Sequence, residues 1–126
     1  MTLFRERLQI ACRYGFVIAA GFVLALALLP QQNVPVTTGW DKLNHALAFF
    51  VLSALLDMGF VRLKWWPQQL AIMLAYGVLI ECLQWLTPDR QFSLLDVVAD
   101  GVGIVVYAGF ALLVLASPRR QWRASA

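Results

Sequence analysis

The sequence predicts an all-α polytopic membrane protein, with four transmembrane helices in an up-down bundle and both termini cytoplasmic. Three observations carry this. First, 61% of the 126 residues are hydrophobic and only 13% are charged, against roughly 45–50% and about 25% in a soluble domain. Second, four stretches approach the roughly 20 mostly apolar residues that a spanning helix needs. Third, Lys and Arg fall mainly on one side of the loops between them. The length suits a single domain over residues 1–126, with no repeat, flexible linker or nucleic-acid motif. The expected partner is the lipid bilayer of the plasma (cytoplasmic) membrane, and no nucleic acid is expected.

The first span is read at 10–29, "IACRYGFVIAAGFVLALALL", and ends at Pro30 and "QQN". Its one A-x-A, Ala25 to Ala27, lies inside the apolar run, so the segment is read as a retained span and not a cleaved signal. The second span is read at 43–61. The third covers 66–86, with Pro67 in the first turn, where a missing N–H costs little; "TPD" stops it. The fourth covers 94–116 and stops at "SPRR". Cys12 and Cys82 show no metal or redox spacing and fall near opposite faces, so they are read as unbridged packing residues.

Orientation follows from the basic residues. Arg5, Arg7, Arg13, Arg62, Lys64, Arg119, Arg120 and Arg123 fall on one side, and Lys42 and Arg90 on the other. The richer side is the cytoplasmic one. Trp40 and Trp85 then mark the outer interface, and Trp65, Trp66 and Trp122 the inner one. The acids segregate the opposite way. Asp41, Glu81, Asp89, Asp96 and Asp100 lie outward, while Glu6 and Asp57 lie inward. Asp57 is read as a local ion pair with Arg62 and Lys64.

The outward acids need a cause beyond topology. In "GWDKLNHALAFF", Asp41 and His45 are i,i+4 and Lys42 and His45 are i,i+3, so each pair shares a helix face. Asp41 also suits the helix start, but His45 lies roughly 6 Å deeper. In "IECLQWL", Glu81 and Gln84 are i,i+3, with Glu81 roughly 7 Å inside its helix end. In "SLLDVVADGVG", Ser93 is an N-cap with Asp96 as its N3 acid, a capping-box variant. Asp100 follows one turn deeper, beside Gly101 and Gly103. These groups come from three helices at similar depth. Each ionisable residue costs about 2.5–3.5 kcal/mol in a membrane segment on insertion scales. As mere interhelical glue they would return roughly 0.6 kcal/mol each, and Asn, Gln or Ser would serve with less desolvation. The favoured reading is a shared polar pocket open to the outer side. It comprises Asp41, Lys42, His45, Glu81, Gln84, Arg90, Ser93, Asp96 and Asp100, with Arg90 or Lys42 as counter-charge.

"DKLNHALAFFVLSALL" and "YGVLIECLQWLTPDRQFSLLDVVADGVG" together resemble the VanZ-like family of small membrane proteins. That family's pattern is Asp-Lys near a His and an aromatic, then Glu-x-x-Gln, Arg, Asp-x-x-x-Asn and Gly. Here it falls on Asp41, Lys42, His45, Phe49, Glu81, Gln84, Arg90, Asp96, Asp100 and Gly103. Asp100 stands where the family has Asn, which adds a carboxylate and removes an amide donor. The resemblance implies an integral membrane protein linked, in its named member, to resistance toward the glycopeptide teicoplanin. It implies no biochemical activity.

Three functions follow as expectations. The first is an envelope protein whose pocket binds a lipid-linked cell-wall precursor or a phospholipid head group, and which influences glycopeptide susceptibility. His45, Lys42 and Arg90 would contact phosphate, and Glu81, Gln84 and Asp96 would orient polar groups. The pocket's net acidity suits a cationic or metal-bridged ligand better than bare phosphate. The second is a membrane-embedded acid–base or metal-assisted enzyme. No Ser or Cys has a nucleophile's setting and one His is thin for zinc, so no catalytic residue, metal or cofactor is assigned. The third is a proton- or cation-coupled transport element; its polar groups stop in the outer half apart from Asp57. Oligomerisation is left open.

Overall fold

The computed structural model describes residues 2–30, 41–60, 66–88 and 90–114. Among these the chain is all-helical: α1 Thr2–Leu28, α2 Asp41–Gly59, α3 Trp66–Trp85 and α4 Leu94–Val114. α1 starts eight residues before the apolar run. "TLFRERLQ" contains no breaker, and Leu, Arg, Glu and Gln are good helix formers, so the helix continues through its polar start. α3 closes where Thr87 N–H and Oγ1–H both donate to the Gln84 carbonyl, at 2.9 and 2.6 Å, and Pro88 follows.

α1 and α4 are long and apolar enough to cross a membrane, with mean hydropathies of 2.0 and 1.8 over their most apolar windows. α2 and α3 fall below that measure. Their deficit comes from Asp41, Lys42, Asn44, His45 and Asp57 on α2, and from Gln68, Gln69, Glu81 and Gln84 on α3.

Side-chain pairings fix the helix directions. Arg13 Nε donates to Gly59 O at 2.8 Å, tying the first half of α1 to the end of α2. Tyr76 donates its hydroxyl to Ala20 O, and Gln84 Nε2 donates to Ala27 O at 3.1 Å, so α1 and α3 run the same way. His45 meets Asp100, and Phe50 stacks edge-on with Tyr107 at 5.5 Å, so α2 and α4 run the same way. Consecutive helices are therefore antiparallel. The end of α1, the start of α2, the end of α3 and the start of α4 share one end of the bundle.

α2 is the central helix. Phe49, Leu52, Ser53, Leu56 and Asp57 are buried at i, i+3, i+4, i+7 and i+8, one continuous face. Phe49, Leu52 and Leu56 pack with Met73, Ile80 and Ile104 to form the core. At the far end of the bundle, buried Asp57 accepts hydrogen bonds from Gln69 Nε2 at 3.0 Å and Tyr107 OH at 2.8 Å. The expected partners Arg62 and Lys64 lie outside the described residues. So do Trp40, Trp65, Asp89, Arg119, Arg120, Trp122 and Arg123, on which the orientation argument also draws. Cys12 is buried, Cys82 is exposed, and both are free thiols.

Gly103 sets the α2–α4 distance. A Cβ there would sit 2.1 Å from Ala46 O and 2.9 Å from Ala46 C, both backbone atoms that cannot rotate away. A Cβ on Gly109 of the same helix would meet nothing within 4 Å. Gly103→Ala should therefore lower stability by about 1–3 kcal/mol through overpacking, and Gly109→Ala by less than about 0.5 kcal/mol. Thermal unfolding of the two variants in the same detergent checks this.

Candidate functional site

The shared end of the bundle gathers the polar side chains. α4 begins with Ser93 as its N-cap: Ser93 Oγ accepts from Asp96 N–H at 3.3 Å. In a capping box the N3 acid would return the favour by accepting from the N-cap N–H. Here Glu81 of α3 takes that role, its Oε2 accepting from Ser93 N–H at 2.8 Å. The Asp96 carboxylate is thereby released for other partners. Its Oδ1 lies 3.3 Å from Lys42 Nζ on α2.

One turn deeper, His45 Nδ1 and Asp100 Oδ1 are 2.9 Å apart, linking α2 to α4. A carboxylate is an acceptor, so Nδ1 is the donor in this pair, and in the neutral imidazole Nε2 keeps its lone pair. Asp100 is 0% exposed, and so is Glu81. Asp100 Oδ2 rests against α3 at Gly77, where a Cβ would come within 2.6 Å of it. Any side chain at 77 would displace the carboxylate, so Gly77 is the seat that lets Asp100 lie between α2 and α3. Asp41, His45 and Asp96 bring one ligand-type atom each within 4.8 Å of one another.

Gln84 and Arg90 face a different neighbour. Gln84 Nε2 donates to Ala27 O, and Arg90 Nη2 donates to Leu29 O at 3.1 Å. The last carbonyls of a helix lack intrahelical partners, and these two side chains supply donors to the end of α1. Both line a cavity of about 390 Å³ between α1, α2 and α3. Its polar lining is Asp41, Asn44, His45, Gln84 and Arg90; its apolar walls are Phe22, Val23, Leu26, Ala27, Leu29, Ala48, Phe49 and Ile80.

All nine residues singled out from the sequence thus lie at one end of the bundle, in two adjoining groups. Lys42, Asp96, Ser93 and Glu81 form one bonded chain across α2, α4 and α3, and His45 and Asp100 form a separate pair beside it. Gln84 and Arg90 edge the cavity. Asp41 lines the cavity too, and His45 belongs to both groups. Sequence reasoning missed Asn44, which lines the cavity, and Gly77. It also missed the α1 carbonyls, because a main-chain acceptor has no residue type to read. The i,i+3 spacing of Asn44 from Asp41 was the available signal for the first.

The VanZ/LLP1 family model matches residues 9–116. The chain belongs to the VanZ/LLP1 family. The match covers all four helices except the polar start of α1, and it includes every residue of the site. VanZ/LLP1 membership together with the two apolar helices points to a membrane protein linked to glycopeptide resistance. No curated protein and no solved structure matched the chain.

The Ser93–Glu81 bond gives a direct check on how this VanZ/LLP1 site is built. Glu81→Ala should speed hydrogen exchange of the Ser93 amide about tenfold, the loss of one charge-assisted hydrogen bond. Glu81→Gln, which keeps an acceptor oxygen, should leave it nearly unchanged. Amide exchange followed by NMR in micelles reads both.

Proposed function

We propose that this protein binds an amphipathic envelope lipid in the cavity between α1, α2 and α3, and through it influences glycopeptide susceptibility. In this reading all four helices span the plasma membrane, both termini are cytoplasmic, and the cavity opens to the outer side. The ligand is a phospholipid or a lipid-linked cell-wall precursor, held by its head group.

The observation that carries the reading is the cavity's lining. One end offers Asp41, Asn44, His45, Gln84 and Arg90, and the walls toward α1 are apolar. A small soluble metabolite has no use for that apolar length. A fully apolar ligand has no use for five polar side chains. Arg90 strengthens the assignment of a head group, because its Nε has no hydrogen-bond acceptor among the described residues and guanidinium matches phosphate in geometry. The two clusters at opposite ends argue against the transport reading. Phe49, Leu52, Met73 and Ile104 form an apolar layer between the His45–Asp100 pair and Asp57, and Ser53 lies within it.

Two kinds of variant test this. Ala27→Trp fills the apolar wall, and His45→Ala removes a polar contact. Each should reduce the lipid that copurifies with the protein, measured by mass spectrometry, by about tenfold, the worth of one well-placed polar contact. Each should also shift glycopeptide susceptibility at matched protein level. Wild-type lipid content and wild-type susceptibility in both variants would contradict the reading.

A further inference from the structure

We propose that Asp41, His45 and Asp96 form a binding site for a divalent cation of the manganese or zinc class at the polar end of the cavity. Their ligand-type atoms lie within 4.8 Å of one another. Metal bonds of roughly 2.0–2.2 Å to nitrogen and oxygen put two tetrahedrally placed ligands about 3.4 Å apart. The closure required is at most about 1.4 Å, a side-chain rotation that Asp41, exposed at the helix start, has room to make. One imidazole with two carboxylates is a donor set for manganese or zinc, not an all-oxygen calcium cage. Three protein ligands leave coordination positions open on the cavity side.

His45 is already held as a ligand requires. Its Nδ1 is bonded to Asp100 Oδ1 at 2.9 Å, which holds the ring and, in the neutral imidazole, leaves Nε2 as the nitrogen able to bind a metal. A carboxylate behind a metal-binding His is a recurrent arrangement that raises the ligand's basicity.

A second observation is independent of this triad. Glu81 and Asp100 are both 0% exposed, and Glu81 Oε1 and Asp100 Oδ2 have no hydrogen-bond partner among the described residues. Both carboxylates lie within Coulombic reach of Asp96 and His45. Four carboxylates therefore lie within Coulombic reach of one imidazole, and one ammonium, Lys42, pairs with Asp96. Buried carboxyl oxygens without a donor are satisfied by a proton or by a cation, and a cation bound at the triad would serve both groups. Lys42 supplies part of the positive charge, 3.3 Å from Asp96 Oδ1, but its side chain is 52% exposed and free to turn outward when an ion enters.

The site rests on this geometry and does not require the lipid reading. It does deepen that reading, since a bound cation would bridge an anionic head group to an otherwise acidic wall, with Arg90 alongside.

The test uses the full-length protein, purified in detergent and stripped of metal. Manganese is titrated in, and free ion is followed by its EPR signal. One ion per chain is expected. His45→Ala and Asp96→Asn should weaken binding at least tenfold, and Asp100→Leu, which removes the support behind His45, about 10–100-fold. Lys42→Met keeps every ligand and removes the competing ammonium, so it should tighten binding; this arm stands even if an acid-site variant misfolds. Absence of bound manganese in the wild type, binding unchanged in His45→Ala and Asp96→Asn, or weaker binding in Lys42→Met would each overturn the site. Lipid content measured on the same stripped protein separates the two proposals: retained lipid without manganese binding removes the cation and leaves the lipid reading intact.

Discussion

Carboxylates inside an apolar helical bundle must be met by donors from neighbouring helices, and this constraint organises the molecule. Asp100 on α4 is met by His45 on α2, Asp96 on α4 by Lys42 on α2, and Glu81 on α3 by the backbone N–H of Ser93. Each bond crosses between elements, so together they set the relative heights of α2, α3 and α4. Gly103 and Gly77 make the approach feasible by removing the side chains that would otherwise hold the helices apart. The apolar core of Phe49, Leu52, Met73 and Ile104 then packs beneath a level the polar groups have fixed.

Magnitudes argue that this arrangement serves more than stability. A polar bond between membrane helices returns roughly 0.6 kcal/mol, while an ionisable group in the membrane costs several times that. Replacing a buried ion pair with well-packed apolar residues is often neutral or stabilising. A bundle needing only cohesion would do better without Glu81 and Asp100. Their burial behind His45, which lines the cavity beside Arg90 and Asn44, is understandable if the chemistry at His45 needs them. Asp100, where the family resemblance places Asn, gives this chain one more carboxylate oxygen behind His45.

Much of this was legible from the residues. The apolar runs foretold four helices, since hydropathy and the breakers Pro30 and Pro88 delimit them, although the second ends at Gly59 and not at 61. The site residues were legible because their rarity is itself a signal and because 1.5 Å per residue places them at a common depth. Ser93 and Asp96 announced a cap through local spacing. What was not legible depends on three dimensions. Glu81 taking the Ser93 N–H from Asp96 needs α3 beside the α4 start, which no local pattern states. The α1 carbonyls at Ala27 and Leu29 carry no side-chain signature. The division of nine polar residues into a bonded network and a cavity edge follows from which way Gln84 and Arg90 turn, toward α1. The polar start of α1 was underestimated because hydropathy marks the apolar run, whereas helix propensity extends beyond it.

The claim beneath the whole account is that His45 and Asp100 are energetically coupled across α2 and α4. A double-mutant cycle measures this directly, using thermal or denaturant unfolding of wild type, His45→Ala, Asp100→Ala and the double variant in one detergent. The account predicts that the second substitution costs less once the first is made, with a coupling of about 1 kcal/mol or more. Strictly additive effects would show that the two side chains do not depend on each other and would contradict the account.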